Sequence, residues 1–364
     1  MKTARMKDIA KDLGIAVITV SKALRDHPDI SPVTRQRVRD HAKKVSYRPN
    51  MVARSLVTGQ SYTVGLVISD LMHSFFVEIA KGVEERIAAK GYQVIICNTN
   101  QDPEHEKRQI DLLLGRRVDG LIIASSQQHG YRNFFRMIEA RKVPYVLIDE
   151  ALPGLRANYV GVKDEELGAI ATEHLIEQGC RRIAHIRGPA VATAVGRLRG
   201  YRRALARHGL QVPDEYVVSG RYFDEAGYEA MKDLLKLQPL PDGVFCYNDP
   251  VAVGALKAIL EAGLRVPTDI AVIGAANVHY MDMLRVPLST VDQNSTLMGE
   301  KAAELLLQSM EAKTVVSPQR VFLPVRLVAR DSSKHGQTTI TISPSQVPSA
   351  EPSNSFTPQR EGLQ

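Results

Sequence analysis

The sequence predicts an α/β protein: a small all-helical N-terminal unit, then two doubly wound parallel-sheet subdomains, then a structureless tail. Three observations carry this. The excess of positive charge is confined to the start of the chain: residues 1–60 hold 13 of the 47 Lys and Arg against 5 of the 40 Asp and Glu, a local +8 within a total of +7, so the remainder sums to −1. From about residue 62, short apolar runs alternate with amphipathic helical patterns in two rounds, as parallel strands covered on both faces do. From Asp331 that rhythm stops. At 364 residues the chain also exceeds the size at which one core keeps growing, so several domains are expected.

The first unit reads as three helices, Met6–Leu13, Val17–Arg25 and one opening at Ser31. Ser31 can cap the third helix, Pro32 suits its first position, and Val38, Ala42 and Val45 form an apolar stripe at i, i+4, i+7. Ile9, Leu13, Val20 and Leu24 supply the facing surface. That leaves Val17, Ile18, Ser21, Lys22 and Arg25 off the buried face. Two short helices joined through Gly14, with small Ala10 permitting close approach, have helix-turn-helix spacing. In that motif the second helix enters the major groove: Lys22 can donate to guanine O6 and N7, and Val17 and Ile18 can touch thymine methyl groups. The concentrated basic charge is what phosphate neutralisation requires. A three-helix core without a DNA role would show the same apolar pattern.

SYRPNMVARSLVTG (46–59) reads as a hinge helix of roughly two turns, with Asn50 as N-cap and Gly59 beyond its end. So short a helix is marginal alone in water. Paired across a dimer in the minor groove, it could drive Leu56 between base steps; a plain linker is the alternative.

In the second zone YTVGLVIS (62–69), YQVIIC (92–97), DGLIIAS (119–125) and PYVLID (144–149) are strands. The first two are followed by helices over about Phe75–Lys90 and Pro103–Arg116. The rhythm restarts at YVGV (159–162), with strands RIAHI (182–186), EYVVSG (215–220), DGVFCYN (242–248) and DIAVIGA (269–275). Ligands of such sheets bind at the carboxyl ends of the strands, between subdomains. Residues just past strands are therefore candidates: Asp70, Phe75 and Phe76 after the first, Asp149 after the fourth, Asn248 and Asp249 after the CY pair. Asn248 could equally be no more than a helix cap.

An enzyme is not expected. No GxGxxG follows the first strand, no P-loop is present, and no Ser/His/Asp or metal-ligand spacing stands out, so neither a cofactor nor a metal is implied. His73, His174, His185 and His279 read as structural or exposed. No 18-residue apolar run exists, and Lys2, Arg5, Lys7 and Asp8 stand where a signal peptide would be apolar, so a cytoplasmic protein is expected. Cys97, Cys180 and Cys246, odd in number and widely spaced, read as unpaired thiols of a reducing compartment.

Taken in order, MKDIAKDLG, ITVSKAL, SYRPN and ARSL closely resemble the lactose repressor and galactose repressor family of bacterial transcription regulators, over essentially residues 5–330. The resemblance implies large subdomains of the periplasmic-binding-protein type and a homodimer on a pseudo-palindromic operator. It places Val17, Ile18 and Lys22 at base-reading positions and Leu56 at the intercalating one. Thr19, Ser21, Arg25, Arg35, Tyr47, Asn50, Ala53 and Ser55 complete the set expected at DNA. Effector contacts fall on Phe75, Asp149, Arg197, Tyr222, Asn248 and Gln293, a set suited to a sugar or other polyhydroxylated ligand, with hydroxyl partners beside aromatic faces.

The implied boundaries are a helix-turn-helix headpiece over 1–48, the hinge over 49–60, an effector-binding and dimerisation domain over 61–330 and a disordered tail over 331–364. Within the large domain an N-subdomain takes about 62–160 and 293–320, and a C-subdomain about 161–292 and 321–330. Two departures from the family stand out. Ala16 replaces the usual Ser before the recognition helix, and VIGAANV (272–278) replaces VxGFDD, so Ala276 stands at the usual ligand-binding acid. Three outcomes stay open: a less hydroxylated effector, one with an anionic group received by Arg197, or none. A periplasmic-type sugar-binding protein would share the large domain but would need an export signal in place of the basic headpiece.

Overall fold

The computed structural model of the chain describes residues 4–47, 55, 59–127, 130–211, 213–312 and 317–334. Asn50, Ala53 and Leu56 of the expected hinge, and residues 335–364 of the expected tail, lie outside the described residues.

The headpiece consists of α1 (Met6–Leu13), α2 (Val17–Leu24) and α3 (Pro32–Lys44). Gly14 ends α1 at φ 66, a left-handed conformation that costs glycine little, and Ile15 N–H closes the turn on Ala10 O at 3.0 Å. Ser31 Oγ accepts from Thr34 N–H at 3.2 Å and Pro32 opens α3. Ile9, Ala10, Val20, Ala23, Val38 and Ala42 are the buried core; Leu13, Leu24 and Val45 pack at its margin. The alanines at 10, 23 and 42 let three short helices approach closely.

The first lobe is built on β1 (Thr63–Ile68), β2 (Gln93–Asn98), β3 (Gly120–Ile123), β4 (Tyr145–Ile148) and β5 (Asn158–Val162). The second uses β6 (Ile183–Arg187), β7 (Val217–Ser219), β8 (Gly243–Cys246), β9 (Ala271–Ala276) and β10 (Ser289–Asp292). The chain then returns to the first lobe as β11 (Arg320–Leu323) and ends on the second as β12 (Arg326–Val328). Sheet orders are β11-β5-β4-β3-β1-β2 and β12-β10-β9-β8-β6-β7, and β10 with β12 is the antiparallel pair among otherwise parallel ones. Helices α4 (Ser74–Ala88), α5 (Pro103–Gly115), α6 (Tyr131–Ala140) and α11 (Ser295–Glu311) cover the first sheet. The second has α7 (Asp164–Glu177), α8 (Ala192–Arg207), α9 (Asp224–Leu234) and α10 (Asp249–Glu261). Three crossovers, at 162–164, 292–295 and 323–326, join the lobes.

Each close helix crossing rests on paired glycines: Gly82 with Gly299 for α4 and α11, Gly168 with Gly200 for α7 and α8, and Gly227 with Gly254 for α9 and α10. A Cβ at any of these would collide with a backbone carbonyl of the facing helix.

Three expectations are corrected. β5 runs to Val162 in the first lobe, not to 160, because Val160 pairs with Ile148 and Val162 with Leu323. For the same reason Val321–Leu323 belong to the first lobe, where the sequence reading gave 321–330 to the second. The tail does not begin at 331. Ser332 and Ser333 are fully buried: Ser332 Oγ donates to Val272 O at 2.6 Å, Val272 N–H donates to Ser332 O at 2.7 Å, and Ser333 Oγ lies 2.7 Å from His174 Nε2. The two serines read as part of a tail because their partners, Val272, Ser289 and His174, are remote in sequence.

Candidate DNA-reading surface and inter-lobe cleft

On α2, Val20 and Ala23 face the core while Val17 and Ile18 are 45% and 62% exposed. Water-facing valine and isoleucine at a helix start make an apolar surface that the described residues leave largely uncovered. One turn on, Lys22 Nζ donates to Asp29 Oδ2 at 2.8 Å, and that ammonium holds the Asp29 carboxyl below its usual range. Thr19 and Ser21 are half-buried beside it. Arg25 is exposed, with Nε donating to Ser21 O at 3.1 Å. Arg35 Nη1 donates to Asp26 O at 3.3 Å, and Tyr47 packs at the edge of the core. Ala16 offers no side-chain cap to α2. Ser55, beyond the headpiece, is half-buried, and its carbonyl accepts from Gly59 N–H at 2.8 Å.

The cleft between the lobes lies at the carboxyl ends of both sheets. Its centre is Arg197 on α8, 3% exposed. Arg197 Nε donates to Asp164 Oδ1 at 2.9 Å, Nη1 to Tyr247 O at 2.6 Å and Nη2 to Gln293 Oε1 at 3.1 Å, and its guanidinium lies 4.7 Å from the centre of the Tyr247 ring. The residue is locked and its charge is met by Asp164. Phe75 and Phe76, ring centres 5.2 Å apart, line the first-lobe side, and Tyr222 faces Tyr247 edge-on from the other.

Asp149 ends β4 at φ 63. Its backbone is held by Val160 O and the Tyr159 hydroxyl, and no hydrogen bond from a described residue reaches its carboxylate. Burial raises its carboxyl to about 7 against the pull of Arg197. Glu150 is pushed to about 8 by burial and by Asp149. It accepts from Ala192 N–H at 3.1 Å and from Thr193 Oγ1 at 2.6 Å, so a first-lobe carboxylate caps the second-lobe helix α8. Two further bridges cross the cleft: Asn248 Nδ2 lies 3.2 Å from His73 Nε2, and His279 N–H donates to Glu78 Oε1 at 3.0 Å. His73 is lowered to about 4 by burial and the nearby Arg197 charge, so it is neutral.

Phe75, Phe76, Asp149, Arg197, Tyr222, Asn248 and Gln293 thus line one cleft. Asp70 does not. Its Oδ1 accepts from Met72 N–H at 2.8 Å, and it lines a neighbouring pocket with Phe223, Asp224 and Tyr280 of the second lobe. Asn248 is both cap and wall: Oδ1 accepts from Val251 N–H at 2.9 Å. Asp249 turns from the cleft and takes Thr290 Oγ1 at 2.6 Å and Val278 N–H at 3.1 Å, which holds Ala276, at φ 137, in the wall. Sequence reasoning missed His73, Glu150 and Tyr247. The last two adjoin named candidates, and that adjacency was the available signal. Among the described residues no group of three or more His, Cys, Asp or Glu could hold a metal ion, and no helix is long and apolar enough to cross a membrane.

A helical unit that presents an apolar and basic helix, carried on two lobes around a polar cleft, defines a ligand-responsive DNA-binding regulator. Residues 5–50 match the bacterial regulatory proteins of the lacI family, and residues 172–333 match the periplasmic binding protein-like domain. The chain is 32% identical over 334 residues to the HTH-type transcriptional repressor PurR of Actinobacillus pleuropneumoniae serotype 3 (strain JL03), covering 91% of this chain and 99% of that one. It is 34% identical over 333 residues to the ribose operon repressor of Escherichia coli (strain K12), covering 91% and 100%. The lac repressor dimer bound to operator and the anti-inducer ONPF superposes with a TM-score of 0.80 at 28% identity, covering 91% and 99%. The chain belongs to the lacI family of bacterial regulatory proteins. It is a DNA-binding transcriptional regulator and not an enzyme.

Proposed function

We propose that the chain acts in the cytoplasm, at the nucleoid, as a homodimeric repressor that reads a pseudo-palindromic operator and releases or tightens on it when a small hydroxylated effector fills the cleft. The observation that carries the effector half is the Asp149 carboxylate, which no hydrogen bond from a described residue reaches and which lines the same cleft as the Phe75 and Tyr222 rings. Each carboxylate oxygen can accept from a ligand hydroxyl, and a ring face can stack on the C–H face of a sugar. Arg197, already neutralised by Asp164, with Asp149 and Glu150 close by, is a poor receiver for an anionic group. A neutral ligand fits better. Ala276 removes one acid from the second-lobe wall, so Asp149 carries the acid contact from the other side.

The mechanism follows from linkage. A ligand that touches both lobes favours one lobe angle, the angle sets the separation of the two connectors in a dimer, and operator and effector then alter each other's affinity by the same factor. In the headpiece, Val17, Ile18 and Lys22 read base edges and Arg35 holds a phosphate. The test begins with sites selected from random duplexes by the full chain. Titration of the selected operator with a panel of neutral pentoses, hexoses and nucleosides is expected to reveal one that shifts affinity, and Asp149→Asn to weaken that ligand's half-effect at least tenfold while leaving ligand-free operator binding unchanged. An Asp149→Asn protein that responds at wild-type concentrations would sink the cleft assignment.

A further inference from the structure

Because the first-lobe strands are parallel, all of them begin at one end of the sheet, opposite the cleft. The turns entering β2, β3, β4 and β5 carry Lys90, Arg116–Arg117, Arg141–Lys142 and Arg156, all exposed. Lys90 approaches Glu311 at 3.9 Å, and the other five pair with no carboxylate among the described residues. Asp119, an acid at the same end, is occupied: it accepts from Ser61 and Tyr62 N–H at 3.0 and 2.6 Å. In lobes whose sequence sums to −1 from residue 61 onward, such a gathering is not an average.

Helix C-termini lie at this end too, and their partial negative charge attracts cations. That accounts for one cation per helix and not for the second of each pair. Arg117 and Lys142 occupy the left-handed position just past α5 and α6, at φ 57 and 56. The same position is glycine after α4, α7, α8 and α10, at Gly91, Gly179, Gly209 and Gly263. A side chain at that position is disfavoured against glycine, so the chain keeps Arg and Lys at a conformational cost. Arg117, Arg141 and Lys142 also line one concavity with Gly59 and Gln60, where the chain arrives from the headpiece. Between Tyr47 and Gly59 the chain can span at most about 40 Å. A headpiece bound to DNA therefore tethers this basic face near the same duplex.

We propose that the strand-start end of the first lobe is a second DNA-contacting face, in which Arg117 and Lys142, flanked by Arg116 and Arg141, meet phosphates of the duplex outside the half-sites read by the headpieces. The proposal rests on operator binding by the headpiece as set out above. Its contacts are to phosphates, so they add affinity and salt dependence without sequence preference.

The experiment uses the full chain, wild type and Arg117→Gly/Lys142→Gly, on a selected operator in two forms: trimmed to the half-sites, and extended on both sides by arbitrary sequence. Glycine is the better residue at both positions, so the thermal midpoint of the variant is expected to equal or exceed that of the wild type. Wild type is expected to bind the extended duplex about tenfold more tightly than the trimmed one and with a steeper salt dependence. The variant is expected to lose most of that advantage, its log–log salt slope on the extended duplex falling by about 2–4, while the two proteins bind the trimmed duplex within about twofold of each other. A wild type that selects an operator but gains nothing from the flanks, as when this face serves an acidic protein instead, overturns this proposal alone. So does a variant that keeps the wild-type gain and slope. A wild type that selects no duplex overturns operator reading as well.

Discussion

At the scale of single residues, the reading head is held back by its own neighbours. Lys22 is paired with Asp29 and Arg39 with Asp26, so in the proposed DNA complex Lys22 exchanges a carboxylate for a base edge. Exposed pairs of this kind are weak, which makes the exchange easy, yet each acid still repels DNA. Asp29→Asn frees Lys22 and removes a negative charge from the surface facing the duplex. The variant is expected to bind unselected DNA several-fold more tightly at moderate salt, with a smaller gain on the selected operator, so its specificity ratio falls. Equal gains on both, in a competition titration, would show that Lys22 makes no base contact. Ala16 belongs to the same scale: it gives the α2 N-terminus no side-chain cap, and the N–H groups and dipole of a helix start suit an anion.

At the scale of elements, the cleft depends on how closely α7 and α8 cross. Gly168 lies against the backbone of Arg197, and Gly200 against Glu165. The glycine crossing thus sets the depth at which Arg197 enters the cleft. Gly168→Ala forces the helices apart, because the obstacle is backbone and cannot rotate away. A loss of about 1–3 kcal/mol in urea unfolding is expected, together with at least tenfold weaker effector response. Wild-type stability with a normal response would mean that α8 does not depend on this contact. The matching crossing at Gly82 and Gly299 seats α4, which carries Phe75 and Phe76, against α11.

At the scale of the whole molecule, buried ionisable groups give the fold a pH profile. Burial raises Glu106 and Asp149 to about 7, Glu150 to about 8 and Asp249 to about 6. An acid raised in the folded state binds more protons there than when unfolded, so stability falls as pH rises from its unfolded value through its folded one. His73 and His185, lowered to about 4 by burial, act oppositely: they cost stability below about 6.5 and nothing above it. Between pH 6.5 and 8 the acids act alone. Unfolding free energy is expected to drop there by on the order of 2 kcal/mol, and Asp149→Asn with Glu150→Gln to remove most of the slope. A flat wild-type profile from denaturant titrations would show that these carboxyls are already ionised at pH 6.5.

Some of this protein was legible residue by residue. Gly14, Ser31 and Pro32 act through the backbone within a few positions, so their turns and caps could be placed from local chemistry, and the apolar rhythm of β1 to β9 marked a two-sided sheet because strands buried on both faces tolerate little else. Strands β10, β11 and β12 went unnamed. They are three or four residues long and owe their pairing to partners far away in the chain: Thr290 to Gly274, Phe322 to Gly161, Leu327 to Val291. Asp70 and Asp149 both follow strands, and no local pattern separates the one that lines a neighbouring pocket from the one that lines the cleft.

The amino-acid order by itself determined where the charge, the helices and strands β1 to β9 lie, because periodicity and capping act over a few residues. Only the tertiary structure decided that Glu150 spans the cleft to Thr193, that Arg197 is neutralised by Asp164, and that Ser332 and Ser333 are sewn into the second lobe. Those contacts join residues tens of positions apart, and their strength comes from the exclusion of water that folding alone brings about.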